Sequence, residues 1–169
     1  MCTPLHLAGV LTDIPYYVAP NSNPQATAIV GSPQAGRISF TFGLVGPSVV
    51  VDTACSSAIV ALNIACTSVI TGASSAALSA SVNLILPAMQ LAVTSAGMLA
   101  SDGRCKTFDM SADGYCRAEA TAVHLVEQVD PSATLSGSSG VIMATHVGQD
   151  GKSSSLARRG CVAGSKATR

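Results

Sequence analysis

The residue best placed to do chemistry is Cys55. A cysteine attacks as its thiolate, and an ordinary thiol pKa of about 8.5 must come down before it does so near neutral pH. Cys55 stands where two patterns meet. Before it, Ser48-Val49-Val50-Val51 is a β-branched run that reads as a buried strand. After it, Ile59, Leu62, Cys66 and Val69 recur at helical spacing, and Thr71-Gly72 supplies a stop with glycine at the C′ position. A strand therefore runs into a helix through Asp52-Thr53-Ala54, with Cys55 at the helix start. A helix N-terminus offers free backbone N–H groups and a partial positive charge. These favour a thiolate and suit the oxyanion of a thioester under attack. The nearby sequence offers no cation, and apolar burial opposes ionisation, so further help has to come from elsewhere. The small neighbours Ala54, Ser56, Ser57 and Ala58 leave room for a bulky acyl chain. The competing reading is a buried packing cysteine, the commoner fate of this residue.

Other chemistry-bearing residues form weaker patterns. Cys66 lies on the apolar face of the same helix and packs. Cys105 and Cys116 sit in or beside a loop, with nothing in the sequence to mark them as reactive. No pair among Cys2, Cys55, Cys66, Cys105, Cys116 and Cys161 has C-x-x-C spacing, so no metal site is expected. Asp109-x-Ser111-x-Asp113-Gly114 opens like a calcium loop, but Ala120 stands where the bidentate glutamate is due and Arg117 is a cation at the ninth position. Gly148-Gln149-Asp150-Gly151-Lys152-Ser153 fails as a phosphate loop because His146 occupies the first glycine position.

The elements that must hold Cys55 follow from periodicity. Residues 1–36 are punctuated by Ile14-Pro15 and Ala19-Pro20 and resist assignment. Arg37 to Leu44 ends a helix or forms a short strand, and Gly46-Pro47 is a turn. Ser81 to Leu86 reads as a second buried strand, Met89 to Leu99 as a helix, and Ser101 to Tyr115 as a polar loop. Thr121 to Val129 and Gly140 to Val147 read as further strands. Buried strands separated by helices predict an α/β layered domain. The last twelve residues, Arg158 to Arg169, carry four basic residues and no acid, and are expected to form a disordered tail.

Charge is distributed unevenly. Formal net charge is zero, which gives no support to a nucleic-acid or acidic-membrane partner. Charged residues make up 11% of the chain, against about 25% in an average domain. From Met1 to Ser101 only Asp13, Arg37 and Asp52 are charged. A free-standing domain mixes both signs over its whole surface. The first hundred residues are therefore expected to be covered by other protein. A membrane span is disfavoured, because the apolar runs Ala58 to Leu62 and Leu84 to Met89 fall far short of the ~20 residues required. The start lacks the basic region of a secretory signal. A reduced intracellular setting is the default for such cysteines.

The segment Val51-Asp52-Thr53-Ala54-Cys55-Ser56-Ser57-Ala58-Ile59-Val60-Ala61-Leu62 closely resembles the active-site segment of β-ketoacyl synthases, especially the ketosynthase domains of modular polyketide synthases. Collinear likeness continues through Gly36 to Phe40, Gly43 to Ser48, Val82 to Leu86, Met98 to Asp109, Ser111 to Tyr115 and Gln149 to Leu156. The resemblance implies a thiolase-like layered fold, αβαβα, of which residues 1–157 would be mostly the N-terminal half. It implies a homodimer or the remainder of a larger synthase, cytoplasmic or organellar, acting with an acyl carrier protein. Substrates would arrive on the carrier's phosphopantetheine, with no cofactor bound directly. Cys55 would be the acyl-accepting nucleophile, its backbone N–H an oxyanion donor, and the strand ending near Asp52 would lie at the dimer interface. Condensation would follow when a malonyl-type thioester decarboxylates and its carbanion attacks the Cys55 thioester.

The resemblance also defines departures. The family's two histidine motifs lie after the Gln-Asp-Gly segment and are absent here, so the chain alone is expected to be inactive in condensation. His6, His124 and His146 are expected to be ordinary structural histidines. Ala118-Glu119-Ala120 replaces the family's Gly-Glu-Gly, and Ala80-Ser81 stands where Gly-Gly is common. If those glycines serve positive φ or close approach, the substitutions strain the site. Arg104 and Lys106 could meet a carrier protein or a pantetheine phosphate, although a solvated loop is the commoner role. Two other functions compete: a non-catalytic, synthase-like partner that pairs with an active synthase, and a membrane-associated protein without acyl chemistry.

Overall fold

A computed structural model describes residues 5–10, 32–129, 137–149 and 151. Four strands and three helices occur in the described residues. They are β1 (Leu5–Val10), α1 (Ser32–Phe42), β2 (Ser48–Val51), α2 (Ser57–Ile70), β3 (Ala76–Asn83), α3 (Pro87–Ser95) and β4 (Ala120–Glu127). A single turn of 3-10 helix, Ala54–Ser56, joins β2 to α2. The sheet order is β2-β1-β3-β4, with β1 parallel to both neighbours and β4 antiparallel to β3. Parallel neighbours need crossovers, and α1 and α2 supply them.

The helices stop for local reasons. After α1, Gly43 takes φ +63° and the Leu44 N–H reaches back to the Ser39 carbonyl at 2.9 Å. Arg37 to Leu44 thus ends a helix and forms no strand. After α2, Gly72 takes φ +72° and its N–H donates to the Val69 carbonyl at 3.1 Å. Glycine fills these positions because a Cβ disfavours left-handed backbone. Proline at the first turn starts α3, where its missing N–H costs nothing.

The core lies between α2 and the sheet. Ala61 packs with Val51, while Ala65 and Val69 pack with Ala77 and the partly buried Val126. The buried stripe of α2 is Ser57, Ala61, Ala65, Cys66, Ser68 and Val69. Sequence periodicity pointed instead to Ile59 and Leu62. Ile59 faces out at 61% exposure, because small side chains let the helix lie close to the strands. Cys66 and Val69 are inward, as expected.

Three strand expectations need correction. β2 forms at Ser48–Val51, but only Val51 is buried, because this strand is a sheet edge. The second strand is displaced to Ala76–Asn83 and only partly buried. Its pairing with β4 ends at Asn83↔Ala120, and the Ile85 N–H then turns to the Glu119 carboxylate at 2.8 Å. Gly140 to Val147 is not a strand. It has no ladder partner among the described residues, and Thr145 is held to α2 by the Asn63 side-chain amide at 2.8 Å. The predicted helix from Met89 to Leu99 spans Pro87–Ser95, cut short by Gly97 at φ +61°. The terminal tail, 158–169, lies outside the described residues.

One face of β3 and β4 meets α2 through Ala77 and Val126. The other face carries Val123 and Leu125, each 59% exposed. Phe40 and Phe42 at the end of α1 are also exposed. Phe40 and Phe42 fall in the charge-poor first hundred residues, whereas Val123 and Leu125 lie beyond them. No helix among the described residues is long and apolar enough to cross a membrane.

Candidate active site

The turn from β2 into α2 is built from five consecutive small or polar residues. Asp52 Oδ1 accepts the Ala54 N–H at 3.0 Å, an Asx turn that bends the chain out of the strand. Ala54 then takes φ +56°, left-handed backbone that costs an alanine about 1–2 kcal/mol. Ser57 secures the turn. Its Oγ accepts the Thr53 N–H at 2.7 Å and donates to the Ala54 carbonyl at 2.7 Å. Ser57 itself is 1% exposed, whereas Thr53 and Ala54 are exposed, so the two bonds are partly buried. Ser56 Oγ lies 2.9 Å from the Thr53 carbonyl oxygen and 2.9 Å from Thr53 Oγ1.

Cys55 lies on the outside of this turn, exposed, in the 3-10 turn that feeds α2. It stands at the carboxyl end of parallel strands, where open α/β sheets place their sites. Its sulfur is not buried within the helix. Cys66, by contrast, is buried, and burial pushes its thiol above the ordinary value. Sequence reading treated Ser57 only as a small neighbour. Its role as the clip of the turn was not legible, because a buried serine at a helix start is visible only in three dimensions.

The histidines lie elsewhere. His124 is in β4, opposite Ser79. β4 and β2 are the two edges of the sheet, three strand spacings or about 14 Å apart. His6 pairs in β1 with Ala77, whereas Val10 pairs with Val51, so His6 is about 13 Å further down the strands. His146 follows Thr145, whose bond to Asn63 places it about 12 Å along α2 from Cys55. A general base must reach its proton, so none of the three serves Cys55.

The loop after α3 is a tied strap. The Tyr115 N–H donates to the Met98 carbonyl at 3.2 Å, and the Ala100 N–H to the Tyr115 carbonyl at 3.1 Å. Gly114 is pressed against Leu99 and Ala100, with no room for a Cβ. Lys106 Nζ lies 2.6 Å from Asp113 and 3.3 Å from Asp102. The lysine and the Ser101 N–H hold Asp113 down to about 2. Asp113 in turn raises Lys106. Lys106 is thus engaged by two carboxylates within the strap. Asp109 is lowered by the N–H and hydroxyl of Ser111, both at 2.8 Å. The strap's carboxylates are spent on internal bonds, and no metal-binding cluster occurs among the described residues.

The substituted alanines are not strained. Ala54 and Phe108 are the non-glycine residues with positive φ among those described, so Ala80, Ser81, Ala118 and Ala120 adopt ordinary backbone. The Ala118 carbonyl accepts from the Asn83 side-chain amide, and Glu119 holds the Ile85 N–H. A shallow groove of about 330 Å³ runs along α2 past Asn63, Thr67 and Thr71, and holds no nucleophile.

The architecture is an α/β layered fold, with Cys55 on the turn that leads from the edge strand β2 into α2. The oxazolomycin ketosynthase domain OzmH KS7 of Streptomyces albus JA3453 superposes with a TM-score of 0.67 at 30% identity, over 75% of this chain and 23% of that one. A component of the phenolphthiocerol/phthiocerol polyketide synthase of Mycobacterium tuberculosis is 45% identical over 125 residues, 72% of this chain and 6% of that protein. The highly reducing polyketide synthase sphB of Aspergillus fumigatus is 44% identical over 126 residues, 73% of this chain and 5% of that protein. The sequence model of the family "Beta-ketoacyl synthase, N-terminal domain" matches residues 15–132, which include Cys55 and the strap. This chain belongs to the β-ketoacyl synthase family, and what it contains is part of the N-terminal half of a ketosynthase. It spans about one-twentieth of the length of the curated relatives it matches.

Proposed function

We propose that this chain supplies the acyl-accepting cysteine of a polyketide synthase, with residues 1–157 contributing part of one ketosynthase domain. The Cys55 thiolate attacks the carbonyl carbon of an acyl thioester carried on the phosphopantetheine of an acyl carrier protein. A tetrahedral oxyanion forms, with N–H groups at the start of α2, that of Cys55 among them, facing it. The carrier's sulfur leaves and takes a proton, and the acyl group remains on Cys55. Decarboxylative condensation then needs further acid–base groups, and none of His6, His124 and His146 stands at the sulfur. Acyl transfer, without condensation, is the reaction of the chain by itself, and a complementing segment of the synthase restores the full cycle. The free side of β2 is the edge for a second copy in a homodimer, and the setting is the cytoplasm.

The observation that carries this reading is the exposed Cys55 thiol, held at the mouth of α2 by the left-handed Ala54 and the Ser57 clip. Thiol release from a short-chain acyl thioester tests it. The chain is expected to release one equivalent and then stop, and Cys55→Ala to release none. Equal release by Cys55→Ala would remove the assignment.

A further inference from the structure

Cys105 and Cys116 are eleven positions apart in sequence, yet they meet across the strap. The Cys116 N–H donates to Cys105 Sγ at 3.2 Å, and the same sulfur lies 3.9 Å from the Cys116 carbonyl oxygen. A sulfur that close to a backbone nitrogen is within about 4.7 Å of the Cα bonded to it. Disulfides form where Cα atoms stand roughly 4.4–6.8 Å apart and the Cβ atoms about 3.8 Å apart. Cys105 Sγ is therefore already against the backbone of its prospective partner. The Cys116 thiol lies 3.4 Å from the Arg117 carbonyl, and rotation about its Cα–Cβ bond swings it toward Cys105. Both thiols are free and exposed, so an oxidant in solution can reach them. The approach is fixed by the strap's own ties: Met98 and Ala100 to Tyr115, and Lys106 to Asp102 and Asp113.

We propose that Cys105 and Cys116 form a redox modification site, separate from Cys55, in which a peroxide closes an intramolecular disulfide. The Cys105 thiolate attacks a peroxide oxygen, giving a sulfenic acid and releasing hydroxide. The Cys116 thiolate then attacks that sulfur, forming the S–S bond and expelling a second hydroxide. The two protons from the thiols convert these to water, so two thiols lose two electrons and one peroxide becomes two waters. A dithiol reverses the bond by exchange. The closed ring ties the strap to the chain entering β4.

Trypsin provides a direct reading in the full chain, because it cuts after Arg104, Lys106 and Arg117. The chain is treated with hydrogen peroxide, its remaining thiols are blocked with N-ethylmaleimide, and it is digested without reduction. The expected product is Cys105-Lys106 linked to Thr107–Arg117, with two hydrogens lost from the intact mass. Dithiothreitol should undo the link, and Cys116→Ser should not form it. Peptides in which both cysteines carry maleimide, or separate sulfinic acids, or in which either is joined to another cysteine, would overturn the proposal. The wild-type map decides the matter even if the serine variant fails to fold.

Discussion

A left-handed alanine, a buried serine and an Asx turn together aim one sulfur outward from the turn between β2 and α2. Ser57 is the residue on which the others depend. Its buried side chain bonds to both sides of the turn. Ser57→Ala removes both side-chain bonds, while the Ala54 carbonyl keeps the Ser57 backbone N–H, at a cost of about 1–2 kcal/mol. Chemical denaturation should show that loss, together with slower alkylation or acylation of Cys55. Ala54→Val puts a β-branched side chain at φ +56° and should cost on the order of 1–2 kcal/mol more, whereas Ala54→Gly should be tolerated. Types and spacing placed Cys55 at a helix start and left a packing cysteine as the competing reading; the resemblance to the ketosynthase segment singled it out. The clip was not legible, because hydrogen bonds within a turn leave no periodic trace.

Asp113, also a single residue, gives a pH signature. Its carboxyl is held down to about 2 by Lys106 and Ser101, below the unfolded value of about 3.9. A depressed carboxylate stabilises the folded form fully above the unfolded pKa, and that stabilisation is lost as pH falls from about 4 toward 2. Carboxyl titration by NMR should give Asp113 a midpoint near 2 in the folded chain, and Lys106→Met should raise it.

Elements position these residues with small side chains. α2 lies close to the sheet because Ala61, Ala65 and Ser57 face it. This is why Ile59, the first large residue of the helical pattern, points away. Periodicity found the helix and two of its inward residues, Cys66 and Val69, but missed that Ala61 and Ala65 line the sheet where Ile59 turns out, since hydrophobic spacing counts size and the packing here selects for its absence. The strand signals erred for a related reason. Leu84 to Leu86 are apolar, yet the ladder ends at Asn83, where Glu119 takes the next N–H. Competition from a single carboxylate over thirty positions away cannot be read locally. The strap can be tested as an element. A methyl group at Gly114 meets the Leu99 and Ala100 backbones, which cannot swing aside. Gly114→Ala should destabilise the chain by about 1–3 kcal/mol, read as a lower denaturation midpoint, and should expose Arg104 and Lys106 to trypsin.

Over the molecule as a whole, the sequence carried one strong message in what it lacked. Charges are nearly absent before Asp102, and in the structure the same stretch leaves Phe40, Phe42 and Ile59 in the open. β4 adds Val123 and Leu125 on the uncovered sheet face. Under the proposed function, the rest of the ketosynthase covers this surface. The isolated chain should therefore bind a hydrophobic dye strongly and self-associate, and both should fall when the complementing segment is supplied. The fold class was legible because β-branched runs alternate with helical spacing.

Among the thiols of this chain, Cys55 alone should take the acyl group. Tryptic mapping after incubation with an acyl thioester distinguishes them. Ile38–Arg104 carries both Cys55 and Cys66, and Cys105 and Cys116 fall in other peptides. One acyl group is expected on Ile38–Arg104, lost in Cys55→Ala and kept in Cys66→Ser. Acylation that persists in Cys55→Ala, or that falls on Cys105 or Cys116, would contradict the assignment of Cys55 as nucleophile.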